Sequence, residues 1–175
     1  MLFATRDLEL RKIDFRTTLA PGQIDFMDSG LRQTSPLEAS GTAELVNGMD
    51  DIRVQGHLSA SFEINCDRCL EPVSLPMGDD FDLVYRPAEA EQGPEEKAIT
   101  GEDAEVGYYE GSGIELGDVV REQVLLWMPA HVLCSDSCKG ICPMCGANRN
   151  REACACRAPK LDERWKALEN LKSGE

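Results

Sequence analysis

A chain of 175 residues with 42% apolar side chains is long enough for one domain, or for a domain with a small appendage. Aromatics make up only 6%, so the core must lean on Leu, Val, Ile and Ala. A formal net charge of −14 argues against general attraction to a phosphate backbone, and no apolar run approaches the roughly 20 residues that a bilayer span requires.

The first residues, "MLFATRDLELRKIDF", mix charges into the apolar positions and lack the unbroken apolar stretch of a signal peptide. The expectation is a soluble, intracellular, cytoplasmic protein with no membrane association. Residues 1–40 scatter Leu8, Leu10, Ile13, Phe15, Leu19, Ile24 and Phe26 among polar positions, a pattern of short strands and loops. From Gly41 on, "GTAELVNGMDDIRVQG" offers two short extended runs around Asn47-Gly48, a common turn pair. Then "HLSASFEI" alternates. Leu58, Ala60, Phe62 and Ile64 share one face, and His57, Ser59, Ser61 and Glu63 share the other, as in a half-buried strand.

Val73, Leu75 and Met77 alternate again after "NCDRCLEP", so Cys66 and Cys69 should sit at the tip between two antiparallel strands. Phe81, Leu83 and Tyr85 mark a further strand segment. Residues 86–113 are rich in Glu, Gly and Pro and read as a solvated acidic loop, with one edge strand around Val106 to Tyr109. Next, "ELGDVVREQVLLWMPA" reads as the main helix. Asp118 is its expected N-cap, Val119, Val120, Gln123, Val124 and Trp127 form its apolar face, and Pro129 stops it. Near the end, Leu161, Trp165, Leu168 and Leu171 predict a short amphipathic helix capped by Asp162.

The predicted fold is therefore α+β. An antiparallel β-sheet or partly open barrel packs on a central helix over residues 1–130. A cysteine-rich, zinc-ribbon-like segment with a short terminal helix occupies 131–175.

The eight cysteines fall into four close pairs: Cys66/Cys69, Cys134/Cys138, Cys142/Cys145 and Cys154/Cys156. In a reducing compartment such spacing favours metal or redox chemistry over disulfides. Structural zinc takes four thiolate or imidazole ligands, commonly two from each tight turn. "CPMCG" suits such a turn, because Pro143 fixes it and Gly146 lets the chain curl back. Eight thiolates can fill one or two zinc sites. The favoured partition joins Cys142/Cys145 with Cys154/Cys156, and Cys66/Cys69 with Cys134/Cys138, which would tie the hairpin tip to the end of the central helix. A site of Cys134, Cys138, Cys142 and Cys145, with Cys154 and Cys156 partnering the hairpin, stays open. So do a redox C-x-x-C and an iron–sulfur cluster.

Of the two histidines, His57 lies on the polar face of a strand. His131 stands three residues before Cys134 and could supply a ligand, although a structural role suits it better. No nucleophile elbow, P-loop or dinucleotide fingerprint occurs, so neither an enzyme nor a small-molecule substrate is expected. From Lys139 to the end the chain carries eight Lys/Arg against five Asp/Glu, whereas residues 1–138 carry an excess of 17 acidic groups. Lys139, Arg149, Arg151, Arg157, Lys160 and Arg164 are thus the candidates for holding phosphates on a rigid mount. They can equally offset acidic neighbours and the negative thiolate centres.

These residues resemble the YceD family of bacterial and plastid proteins. Its C-x-R-C box is matched by Cys66-Asp67-Arg68-Cys69-Leu70-Glu71-Pro72. Its Asp-led helix ending before Pro is matched by Asp118 to Pro129, and its "C-x₃-C-K-G-L-C-P-x-C-G-x-N-L-N" box by Cys134 through Asn150, followed by Cys154-Ala155-Cys156. Arg149 departs from the usual Leu between the two Asn residues, and Glu163 from a Pro. The resemblance implies a part in accumulation or processing of large-subunit ribosomal RNA. Its partners would be precursor RNA, an early assembly particle or a ribosomal protein. The competing expectation is a zinc-ribbon adaptor that binds protein and does not touch RNA.

Overall fold

The computed structural model describes residues 1–27, 30–46, 50–91 and 106–156. The Asn47-Gly48 turn, the middle of the acidic loop (92–105) and the C-terminal helix all lie outside them. The chain divides into two units. The first takes Met1–Ile64 and Pro72–Val132, and the second takes Asn65–Glu71 and the residues from Leu133 on.

The first unit begins with β1 (Leu2–Ala4) and a single helical turn, α1 (Thr5–Leu8). Its main sheet is built from β2 (Ile13–Leu19), β3 (Arg32–Gln33), β4 (Leu37–Val46), β5 (Asp51–Asn65), β6 (Pro72–Pro87) and β7 (Val106–Tyr109). The strands follow the order β2-β4-β5-β6-β7. Along β5, β4 pairs from Asp51 to Ser59, and β3 pairs at Phe62 and Glu63. The pairs β2–β4, β4–β5 and β3–β5 are antiparallel, but β6–β7 is parallel, so the sheet is mixed. A separate two-stranded sheet joins β1 to β8 (Gly113–Glu115).

Two differences from the sequence reading concern β4 to β6. The runs around Asn47-Gly48 are parts of much longer strands. "VSLPM" and "FDLVYRP" form one strand, because the Gly78-Asp79-Asp80 stretch between them stays extended. The alternation in β5 is as expected: Leu58 and Phe62 are buried and His57 is exposed. The edge strand expected at Val106 to Tyr109 is present as β7, and two further residue stretches flanking 92–105 are more regular than a loop. Ala88–Glu91 is a 3₁₀ turn, followed by β7 and β8.

At the β4–β5 pairing Gly41 faces Gly56. A Cβ on Gly41 would lie 2.1 Å from the Gln55 oxygen, and one on Gly56 would lie 2.2 Å from the Ser40 oxygen. The two backbones approach to a distance that only paired glycines permit.

The main helix, α2, spans Leu116–Leu126 and ends at Trp127, before Pro129. It buries Leu116, Val119, Val120, Gln123 and Val124. Its cap is Glu115, not Asp118, and Glu115 makes no side-chain capping bond. The Leu116 N–H instead donates to the Met1 oxygen at 2.8 Å, so the residue just before β1 meets the helix start. Asp118, in the first turn, pairs with Arg121 at 2.7 Å and favours the positive end of the helix dipole.

The core joins these elements. Phe3 packs on Phe15 with tilted rings whose centroids are 5.3 Å apart, Phe26 meets Phe62 edge-on at 5.4 Å, and the buried face of α2 packs in the same cluster. Each fully buried side chain of this kind contributes about 1.5–3 kcal/mol. Several polar groups inside are paired, whereas Gln33 Oε1 is buried without a partner among the described residues. Asp51 meets Arg86 at 3.3 Å, Tyr85 donates to the Glu122 carboxylate at 2.8 Å, and Tyr109 donates to the Asp50 oxygen at 2.7 Å. Among the described residues, no helix is long and apolar enough to cross a membrane.

Candidate metal centres

The second unit contains two turns with the same backbone wiring. In the turn between β5 and β6, the Cys66 N–H donates to the Glu71 oxygen at 2.8 Å, and the Leu70 N–H donates to the Cys66 oxygen at 2.9 Å. In the turn at 142–147, the Cys142 N–H donates to the Ala147 oxygen and the Gly146 N–H to the Cys142 oxygen, both at 2.8 Å. The residue after the second cysteine is left-handed in each, with φ of 61° at Leu70 and 73° at Gly146. This wiring folds each C-x-x-C so that both sulfurs face the same side.

The remaining cysteines complete two tetrads. Cys66, Cys69, Cys134 and Cys138 form one, and Cys142, Cys145, Cys154 and Cys156 form the other. In each, the four sulfurs lie within 4.8 Å of one another. This is the partition that the spacing favours. Cys69 and Cys134 sulfurs are 3.5 Å apart, and those of Cys66 and Cys138 are 3.8 Å apart. A disulfide requires about 2.05 Å, whereas a tetrahedron of thiolates with bonds of about 2.3 Å has edges of about 3.8 Å. All eight cysteines are free thiols. The donor set therefore fits a four-coordinate, thiolate-bound metal ion at both places, with no position left open for water. Cys66 and Cys69 stand between two strands, not at the helix N-terminus that a redox pair uses.

Local donors prepare the sulfurs. Burial works against the Cys66 thiolate, yet the backbone N–H groups of Cys69, Arg68 and Cys134 outweigh it and bring the thiol down to about 6. The N–H groups of Met144 and Cys145 bring Cys142 down to about 6 as well. The Asn150 amide, 3.3 Å from the Cys138 sulfur, lowers Cys138. Neighbouring sulfurs cannot all ionise together, so Cys138 pushes Cys134 up to about 12 and Cys145 pushes Cys156 up to about 11. A divalent cation among four sulfurs would remove that conflict.

Asn148, Asn150, Glu71 and Arg68 support the tetrads, and sequence spacing does not assign them this role. Asn150 accepts the Lys139 N–H at 2.8 Å through Oδ1 while donating to Cys138. Asn148 donates to Glu71 at 3.0 Å and accepts the Asn150 N–H at 2.9 Å. Arg68 donates to the Cys138 oxygen at 3.0 Å, and its own oxygen accepts the Ile141 N–H at 2.9 Å. The available signal is the alternation of the two Asn residues between cysteine pairs, as short polar side chains suit such loops.

Of the basic candidates, Lys139 and Arg149 are exposed. Arg151 pairs with Glu71 at 2.8 Å. Arg157, Lys160 and Arg164 lie outside the described residues. In the described part of this unit, Arg68, Lys139, Arg149 and Arg151 are balanced by Asp67, Glu71, Asp136 and Glu152. Neither histidine enters a tetrad, and His57 instead meets the Asp80 carboxylate at 2.8 Å.

Twin cysteine knuckles define a protein with two candidate tetrathiolate metal centres. The family model described as large ribosomal RNA subunit accumulation protein YceD matches residues 54–172, which include all eight cysteines. The chain belongs to the YceD family. It is similar to the large ribosomal RNA subunit accumulation protein YCED homolog 1, chloroplastic, of Arabidopsis thaliana, at 23% identity over 159 residues. That match covers 79% of this chain and 49% of the relative. The Zea mays protein of the same description is 23% identical over 162 residues, covering 79% of this chain and 54% of the relative. The chain thus spans about half the length of the curated relatives it matches. No solved structure matches.

Proposed function

We propose that this protein is a non-enzymatic, cytoplasmic factor that supports accumulation or processing of large-subunit ribosomal RNA, with a structural zinc ion in each cysteine tetrad. Membership of a family described by that role carries the reading, through the match over residues 54–172. Zinc is favoured because both sites offer four thiolates in a closed set, the arrangement of structural zinc. The ligands are Cys66, Cys69, Cys134 and Cys138 at one site, and Cys142, Cys145, Cys154 and Cys156 at the other.

Contact with RNA on this reading is local. The described part of the metal-holding unit has balanced side-chain charge, and each zinc bound by four thiolates adds a charge of −2. Balanced charge there argues against a broad electrostatic footprint, and among the described candidates phosphate contact falls to Lys139 and Arg149, with Arg157, Lys160 and Arg164 the further candidates outside the described residues. Among the described residues neither Lys139 nor Arg149 has an ion-pair partner. The partner is precursor large-subunit RNA or an early particle that contains it.

The test combines depletion with crosslinking in cells. Depletion should lower mature large-subunit RNA, and the protein should crosslink to its precursor. Lys139→Glu with Arg149→Glu should weaken the crosslink about tenfold while leaving metal content unchanged. Unchanged RNA levels on depletion, with sedimentation free of precursor particles, would overturn the reading. Loss of a protein partner without any crosslink would instead favour the adaptor.

A further inference from the structure

The two tetrads differ in how they meet solvent and in how the chain closes them. In the first, Cys66, Cys138 and Cys69 are 0%, 4% and 5% exposed, and only Cys134 faces water. In the second, only Cys142 is buried, at 5%, while Cys145 and Cys156 are exposed and Cys154 is half-buried. A competing ligand removes a metal by replacing its donors one at a time, so exposed sulfurs are displaced first.

The first tetrad also binds two distant segments, with Cys69 and Cys134 meeting across 65 positions of sequence. The second is local, between Cys142 and Cys156. Releasing its metal frees one short loop.

That loop is wired to the first tetrad. Between Cys145 and Cys154 the described backbone holds turns and a single bridge, Ile141 to Asn148, with no helix or strand. The second tetrad ties both of its ends, at Cys145 and Cys154. The loop carries Asn150, whose Nδ2 donates to the Cys138 sulfur at 3.3 Å and whose Oδ1 accepts the Lys139 N–H at 2.8 Å. It carries Asn148, which donates to Glu71 at 3.0 Å, and Arg149, whose N–H donates to the Gly140 oxygen at 2.9 Å.

We infer that the second tetrad is an exchangeable metal site and that Asn150 is the positioning residue through which its occupancy slows metal release from the first. The inference rests on the reading that both tetrads hold metal. It adds a consequence: the exchangeable site governs the loop that presents Arg149, so metal supply sets how firmly that residue is held. Hydrogen bonds to a ligand thiolate stabilise it against loss. When the second metal leaves, the loop is released and Cys138 loses its donor.

The experiment loads the full protein with radioactive zinc and follows loss of the label into excess unlabelled zinc, so that the exchangeable site stays occupied throughout. Two phases are expected, one zinc each, with rate constants at least tenfold apart. Cys142→Ser with Cys156→Ser should remove the fast phase and quicken the slow one about tenfold. Asn150→Ala should quicken the slow phase by a similar factor, and adding it to the serine double variant should change little more, because both act through one contact. Asn150→Asp keeps the acceptor for the Lys139 N–H but lacks the donor to Cys138. It should behave like Asn150→Ala, whereas wild-type release would reduce Asn150 to a loop support. Should the serine variant not fold, the wild-type phases and the two Asn150 variants decide the matter. A single phase from a protein holding two zinc ions, or an unmoved slow phase in Asn150→Ala, overturns the inference alone. Fewer than two bound metal ions per wild-type chain overturns the reading beneath it.

Discussion

Leu70 and Gly146 occupy equivalent positions in the two cysteine turns, each left-handed and each donating its N–H to the first cysteine's oxygen, four residues back. Glycine adopts that conformation freely, whereas an L side chain pays about 1–2 kcal/mol for it. Leu70 recovers little of this by burial, since it is 59% exposed.

Leu70→Gly should therefore stabilise the zinc-loaded protein by about 1 kcal/mol, and Gly146→Ala should destabilise it by a similar amount. Denaturant unfolding at saturating zinc would measure both. A loss of stability in Leu70→Gly would mean that the leucine makes contacts worth more than its strain.

Metal removal should loosen the second unit and spare the sheet. The amides of Cys66, Cys142 and Gly146 are held by turn hydrogen bonds and that of Ile141 by the Arg68 oxygen, all of which the tetrads close upon, whereas those of β4 and β5 are held by a strand ladder. Hydrogen exchange before and after chelation should show protection collapsing at the first set and persisting at the second. Protection retained at Cys142 and Gly146 in metal-free protein would show that the turns stand without the ion.

How far the sequence reveals these features depends on the range of the forces involved. The β5 alternation of Leu58 and Phe62 against His57 is local, and it is legible because side chains on a strand repeat every two residues. The cysteine pairs are legible because metal chemistry fixes ligand spacing. The helix start is misread at Asp118, because the Leu116 N–H is satisfied by the Met1 oxygen, a partner more than a hundred residues away. Gly78-Asp79-Asp80 resembles a turn by composition, and only its place in the sheet keeps it extended. The Asn150–Cys138 contact is of the same kind, invisible until the loop is folded.

Close backbone approach makes the Gly41–Gly56 pair the most size-sensitive point of the sheet. Gly41→Ala or Gly56→Ala forces a Cβ against backbone that cannot rotate away, so each should cost about 2–3 kcal/mol. Gly117, inside α2, has nothing within 4 Å of an added Cβ, and Gly117→Ala should instead gain about 0.5–1 kcal/mol. Opposite shifts in the denaturant midpoint, at unchanged slope, would support the distinction. Equal effects would remove it.

The alkaline limit of stability should depend on Tyr85. Its ring is 2% exposed, and its hydroxyl donates to Glu122 at 2.8 Å. Burial, then the Glu122 and Asp118 carboxylates, push its pKa well above the ordinary value of about 10. The unfolded chain therefore ionises first. The stability that Tyr85 contributes is complete below about pH 10 and is lost as the pH rises from there toward the higher folded value, by up to about 1.4 kcal/mol per pH unit. In Tyr85→Phe no phenol titrates at this position, so the alkaline limb should become shallower. Stability at neutral pH should meanwhile fall by about 1 kcal/mol, because Glu122 loses its donor. Tyr109, also raised by burial, leaves a residual slope. Unfolding free energies measured from pH 8 to 11 should thus converge for the two proteins. Parallel curves over that range would show that Tyr85 is deprotonated as easily in the folded chain as in the unfolded one.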